Sequence, residues 1–188
     1  MNFAKHYDLE GKHAPFSASQ SHWLRYTDDK ILYSLNSMKA KEKGTLLHAW
    51  AKNTIDLGIL QPDTNETLYM YVNDAIYYGM KTEVVLYYSE NFFGTADAIN
   101  FNGKLLRIHD LKTGKTKVHM EQLMVYAAYF CLEYRVHPED IDIELRIYQN
   151  GDINPYIPEP AEIVSIMERV VYLENMIEEY QKGEVNNE

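Results

Sequence analysis

The sequence predicts an α/β fold, a mixed central sheet flanked by helices. Three observations carry that expectation. In Lys39–Leu57 and Glu66–Met80 the apolar residues recur at helical spacing, whereas from Thr82 to Lys112 the chain turns to Val-, Tyr- and Phe-rich stretches of strand character. Asn102-Gly103 and Asn150-Gly151 are two-residue turn signals between apolar runs. The elements follow in the order helices, three strands, helix, strand, helix, which suits one sheet covered by helices.

Each element has its own reason. Residues 1–16 have no periodic pattern and read as a flexible arm. Ser17 has the character of an N-cap and leads into a short helix with Trp23, Leu24 and Tyr26. Lys39 to Leu57 reads as a longer helix, with Leu46, Leu47, Trp50, Ala51 and Ile55 on its apolar face and Gly58 at its end. Gln61-Pro-Asp-Thr-Asn65 is a loop and cap before a helix over Glu66 to Met80. Strands follow over Thr82–Tyr88, Phe92–Phe101 and Lys104–Lys112. Met120 to Tyr134 is a helix, Asp142 to Gln149 a strand, and a short pairing segment lies near Ile153. Pro158 and Pro160 break the chain before a last helix over residues 162–181. Its Ile163, Ile166, Val170, Leu173, Ile177 and Tyr180 alternate at three and four spacing. That span is under three heptads, so packing onto its own domain is expected, with an oligomer contact as the alternative.

At 188 residues, with 46 % apolar and 13 % aromatic content, the chain is expected to form one domain over residues 1–188. The single cysteine, Cys131, excludes an internal disulfide framework and any four-cysteine metal or iron–sulfur site built by one chain. No signal peptide and no long apolar run is visible, so no membrane partner and a cytoplasmic location are expected. The formal net charge is −10, but it is uneven. Residues 158–188 hold eight Glu against Arg169 and Lys182, and residues 1–52 hold eight Lys/Arg against five Asp/Glu. Lys104 to Lys117 hold five basic residues and one acid. Net charge therefore does not exclude nucleic acid.

The chemistry gathers on the three consecutive strands. Asp110 and Lys112 are two apart, so they project from one strand face, which also carries Leu106 and Ile108. Such charges are costly to bury without partners or a task. Asp97 and Glu83 lie on the two preceding strands and converge with Asp110 if the strands are neighbours. Two or three carboxylates suffice for a hard divalent ion, and a lysine beside them can stabilise charge on a phosphate. An ordinary strand-end ion pair is the competing reading of Asp110 and Lys112. Gln122 and Tyr126 are four apart and share a helix face, with His119 one turn earlier. They read as able to orient a phosphate or the lysine, or as ordinary helix residues. Gly44 and His48 are also four apart; His48 is a metal or phosphate candidate, or a satisfied core histidine.

Together Gly44-xxx-His48, Glu83, Gly94-xx-Asp97, Asp110-Leu-Lys112-Thr-Gly and Gln122-Leu-xx-Tyr126-Ala resemble the RecB-type branch of the PD-(D/E)XK nucleases, which includes lambda-type phage exonucleases. The resemblance implies a restriction-endonuclease-like fold and a Mg²⁺- or Mn²⁺-dependent DNA nuclease, an exonuclease of phage or bacterial recombination and repair. It implies His48, Asp97, Asp110 and Leu111 at the metal, Lys112 as catalytic lysine, Gln122 and Tyr126 as supporting residues, and Glu83 as the acid that some members carry on the first strand. Single- or double-stranded DNA is the implied partner, with a homo-oligomer or a single-strand annealing or recombination protein as further partners. The basic N-terminal residues Lys5, Lys12, Arg25, Lys39, Lys41 and Lys43 are expected to hold the nucleic-acid backbone. Where family members often place an acid, four residues after the histidine, this chain has Lys52. The rival of a different class is a catalytically idle nuclease-like fold that binds DNA or protein.

Overall fold

The change of period at Thr82 marks the start of a five-stranded sheet. The structure, a computed structural model, describes residues 4–114 and 119–185, with side chains described to residue 182. Lys115 and Lys117, two of the five basic residues in the run that begins at Lys104, lie outside the described residues. The chain divides into two compact units, one ending at Leu46 and the next beginning at Leu47.

The first unit has little buried surface. It holds 3-10 turns at Tyr7–Leu9 and Ala18–Arg25 and the first part of helix α1 (Asp28–Asp56). The segment around Trp23 is thus 3-10, not α, with a break in helical geometry at Gln20. Ser17 precedes it as expected, but its hydroxyl bonds the Ser19 hydroxyl, while its carbonyl accepts from Trp23 Nε1 at 2.9 Å. Helix α1 begins eleven residues before the expected Lys39. Thr27 starts it, its carbonyl accepting from Ile31, and Asp28 and Asp29 favour the positive end of the helix dipole. The early turns have no clean apolar stripe, which is why periodicity missed them. Lys5, Lys12, Arg25, Lys39, Lys41 and Lys43 are all exposed.

The second unit holds the end of α1, helix α2 (Thr67–Tyr77), strands β1 (Lys81–Ser89), β2 (Phe92–Phe101) and β3 (Leu105–Leu111), helix α3 (Glu121–Tyr134), strands β4 (Asp142–Gln149) and β5 (Asp152–Tyr156), and helix α4 (Pro160–Val185). The strands lie in the order β1-β2-β3-β4-β5. Every pair is antiparallel except β3–β4, which is parallel, so the sheet is mixed. The parallel pair needs a crossover, and α3 supplies it. Gly58 closes α1 in the left-handed region, with Gly58 N–H bonding Ile55 and Ile59 N–H bonding Thr54. Glu66, not a residue of the loop before it, stands at the N-cap position of helix α2, and its side chain makes no capping bond. Asn73 ties that loop down by bonding both backbone groups of Gln61.

Helices cover both faces of the sheet. On one face Leu86, Ala96, Leu106 and Ile108 pack with Leu123, Ala127 and Cys131 of α3 and with Ile163 and Val170 of α4. On the other, Ala98, Leu111 and Tyr148 pack with Ala51 and Ile55 of α1 and with Tyr71, Val72 and Ala75 of α2. Ile163, Ile166 and Val170 bring the α4 stripe into its own unit's core, while Tyr180 stays exposed. No described helix is long and apolar enough to cross a membrane.

Ala96 and Ala98 are two residues apart yet belong to opposite faces. A regular strand cannot do that, because its side chains alternate with period two. The irregularity sits at Asp97. Directly across on β1, Glu83 has φ 52°, and the ladder skips it between Thr82–Ala98 and Val84–Ala96. The same place is a fork. Strand β2 pairs with β3 only from Ala98 onward, opposite His109, while Asp110 and Leu111 pair with β4 alone.

Candidate active site

The fork brings together residues from six elements. Asp97 ends the unpaired stretch of β2, and its Oδ2 accepts the Leu111 N–H of β3 at 3.0 Å. A carboxylate thus takes the position that a backbone carbonyl would occupy if the two strands continued as a ladder. From α1, His48 Nδ1 lies 3.4 Å from the same Asp97 oxygen. One ligand atom each of His48, Glu83 and Asp97 lie within 4.8 Å of one another. Glu83 stands opposite Asp97 on the neighbouring strand, an arrangement of like charges that is unfavourable by itself. Its positive φ adds strain on the order of 1–3 kcal/mol for a residue that is not glycine.

The other half of the site faces α3. Asp110 is 2 % exposed. Lys112 Nζ donates to Asp110 Oδ1 at 3.0 Å and lies 2.9 Å from Oδ2. The second approach is close enough for ion pairing but not aligned as a hydrogen bond, and Oδ2 is buried with no hydrogen-bond partner among the described residues. Lys112 Nζ also donates to Gln122 Oε1 at 3.0 Å, and Gln122 Nε2 donates to the Tyr126 hydroxyl at 2.9 Å. The lysine is held from its backbone as well, its N–H bonding the Tyr148 carbonyl at 2.9 Å. Gly94 has a concrete reason. A Cβ there would stand 2.7 Å from Tyr126 Cε1, so only glycine lets that ring lie over β2.

The electrostatics are anionic. Burial, then the Asp110 charge, pushes the Asp97 carboxyl up to about 6; the Leu111 N–H and His48 oppose that, and Glu83 adds to it. Burial also raises the Tyr126 hydroxyl. On α2, Tyr71 is pushed well above its ordinary value, first by burial and then by the charges of Asp97, Asp110 and Glu83.

The structure therefore gathers His48, Glu83 and Asp97 in one cluster and Asp110, Lys112, Gln122 and Tyr126 in another, joined where Asp97 meets Leu111. Leu111 has a buried apolar side chain, so only its backbone carbonyl offers a ligand. His119 stays out, exposed beside Glu121. Asp56, Thr82 and Tyr71 escaped sequence reasoning, and Lys52 entered it only as a departure from the family pattern. Lys52, one turn after His48, pairs with Asp56, whose other oxygen accepts from Thr82, the residue before Glu83. That chain ties α1 to β1 beside the strained residue. Tyr71 was passed over, although it lies four residues before Ala75 on the buried face of α2. Compared with models of known families, with curated proteins and with solved structures, the chain finds no match in any of the three.

The arrangement suits a divalent cation. Three carboxylates face one lysine and one histidine. A buried carboxylate oxygen has no hydrogen-bond partner among the described residues, and a second carboxylate has its pKa raised to about 6. A cation among them would relieve all of these costs together.

Proposed function

We propose that the chain is a metal-dependent DNA nuclease of the RecB-type PD-(D/E)XK branch, with a restriction-endonuclease-like fold and hydrolysis of phosphodiester bonds as its reaction. The observation that carries the reading is the fork itself. It sets the His48–Glu83–Asp97 triad beside the Asp110–Lys112–Gln122–Tyr126 chain, with carboxylates in excess and a lysine held on both sides.

His48, Glu83, Asp97, Asp110 and the Leu111 carbonyl are the groups that would hold the ion. A bound Mg²⁺ or Mn²⁺ supplies charge neutralisation at the phosphate and a water acidic enough to attack it. The chain's own residues do the rest. Lys112, fixed by Asp110 and Gln122, offers its ammonium to the negative charge that develops on the phosphate oxygens. Tyr126 and Gln122 limit the positions that ammonium can take, so little reorganisation is needed during reaction. A cation held there would favour the ionised form of Asp97 over the protonated one. The imidazole of His48 favours Mn²⁺ over Mg²⁺, which prefers oxygen ligands only.

The test is digestion of end-labelled linear, circular and single-stranded DNA with Mg²⁺ and with Mn²⁺. Loss of linear substrate that needs the metal is the expected result, and sparing of the circle would identify an exonuclease. No cleavage of any substrate with either ion would leave the rival reading, an idle nuclease-like fold that binds.

A further inference from the structure

Beyond Asp97 the β1–β2 hairpin runs on with one side exposed among the described residues. Leu86, Gly94 and Ala96 face α3 and α4. Alternation therefore turns Val85, Tyr87, Phe93 and Thr95 to the opposite side, and all four are exposed. Val85 is 53 % exposed, Tyr87 45 % and Phe93 58 %. They form two cross-strand pairs, Val85 with Thr95 and Tyr87 with Phe93. Asp97 follows Thr95 and Phe93 at the same alternation, and His48 approaches it from that side. The exposed face is thus continuous with the acidic triad. Two residues of strand advance about 6.8 Å, so the aromatic pair lies roughly 14 Å along β2 from Asp97.

We infer that this face is a platform on which single-stranded nucleic acid lies as it runs out of the site, with its bases stacked on Tyr87 and Phe93. The inference rests on the nuclease reading above. The occupant follows from the chemistry of the face. None of the four side chains is charged, so the face offers a phosphate only the hydroxyls of Tyr87 and Thr95, and offers a base two ring faces and an aliphatic step. Aromatic rings bind unpaired bases of any sequence, because every base has a π-face. A duplex keeps its bases stacked on one another and cannot use them. The backbone would then be held from the other direction, with its scissile phosphate at the triad.

Binding of a short labelled oligothymidine, measured by fluorescence anisotropy in EDTA, tests the inference apart from cleavage. The Tyr87→Ala/Phe93→Ala variant should bind at least about tenfold more weakly. Tyr87→Trp/Phe93→Trp should bind as wild type, and a duplex of the same length should bind all three proteins alike. Both positions are exposed, and an unchanged circular dichroism spectrum will show that the variants fold. Undiminished binding by the alanine variant, or equal loss for duplex, would overturn the inference. So would a wild-type dimer that the alanine variant splits, since a second copy would then cover the face. A wild type that digests nothing while the stacking loss persists would instead sink the nuclease reading alone.

Discussion

His109 and Asp110 are adjacent residues on one strand, both almost fully buried, and they belong to opposite kinds of polar cluster. Around His109 the charges balance. Arg146 pairs with Asp74 at 3.0 Å and with Glu144 at 2.9 Å, and Arg107 meets Glu144 at 3.3 Å. Both guanidinium groups lie over the Tyr78 ring, and Tyr148 donates to Asp74 while its hydroxyl lies 3.3 Å from His109 Nδ1. Burial, and then Arg146 and Arg107, hold the imidazole neutral, with its pKa near 3. Around Asp110 the charges do not balance. Glu83, Asp97 and Asp110 face Lys112 and a histidine, and the backbone of Glu83 is strained. A balanced cluster of this kind locks α2 to the sheet. The unbalanced one is the place proposed above for a cation.

The comparison breaks most plainly at Lys112. Asp110→Ala or Lys112→Ala should lower cleavage by a factor on the order of 10² or more, with an unchanged circular dichroism spectrum. Tyr148→Phe, on the other side of the same sheet, should leave cleavage within a few-fold. It should cost about 1–3 kcal/mol of stability by urea titration, because Asp74 and His109 lose a buried partner. Near-normal digestion by Lys112→Ala would remove the distinction between the two clusters.

A second test uses the proton on Asp97. Its pKa in the folded chain, about 6, lies above the ordinary 3.8. The stability this group contributes is therefore present below pH 3.8 and is lost as pH rises through about 6. Metal-free protein should melt at a lower temperature at pH 7 than at pH 5, and Asp97→Asn should shrink that gap. Metal binding runs the other way, since the ligand must be deprotonated. Affinity for Mn²⁺, measured by calorimetry, should fall as pH drops through 6, by up to about tenfold per unit for one released proton. A flat profile would mean that Asp97 is not a ligand.

The balanced cluster has its own prediction. Arg146→Ala leaves Asp74 and Glu144 without their main cation and should destabilise the chain by about 1–3 kcal/mol. Metal affinity at pH 8 should not move, because neither acid belongs to the triad. A shift in metal affinity as large as the stability loss would show the two clusters to be one electrostatic unit.

Much of the site was legible because its signals are local. The alternation of Leu106, Ile108, Asp110 and Lys112 placed the pair on the face where α3 supplies Gln122, four residues before Tyr126. Strand β2 spans Phe92–Phe101 as the residues suggested, and Gly103 and Gly151 take the positive φ that their turns require. What stayed hidden is non-local. Nothing in the order of residues says that β2 leaves β3 at Asp97, that Glu83 takes a left-handed backbone opposite it, or that Ala96 and Ala98 part to opposite faces. Asp74, His109, Arg146 and Tyr148 come from three elements with no spacing in common, so the balanced cluster exists only in the fold. The early turns of α1 were missed because their residues are solvated and leave no apolar stripe.

The finest test concerns Gly94, which is remote from both clusters' charges and acts only through shape. An alanine there brings Cβ to 2.7 Å from Tyr126 Cε1, closer than real side chains approach, so the ring must move. Tyr126 is only half-buried and has room to turn, so the fold should lose no more than about 1 kcal/mol. Its hydroxyl then leaves Gln122, whose amide holds the lysine, and one neutral hydrogen bond is worth about 1 kcal/mol. Gly94→Ala should therefore slow cleavage by roughly fivefold without changing metal affinity. A double-mutant cycle isolates the cause. In a Tyr126→Ala background the ring is gone, the clash with it, and Gly94→Ala should have no further effect on rate. If Gly94→Ala slows Tyr126→Ala as much as it slows the wild type, the glycine serves the β2 backbone at the fork and not the ring above it.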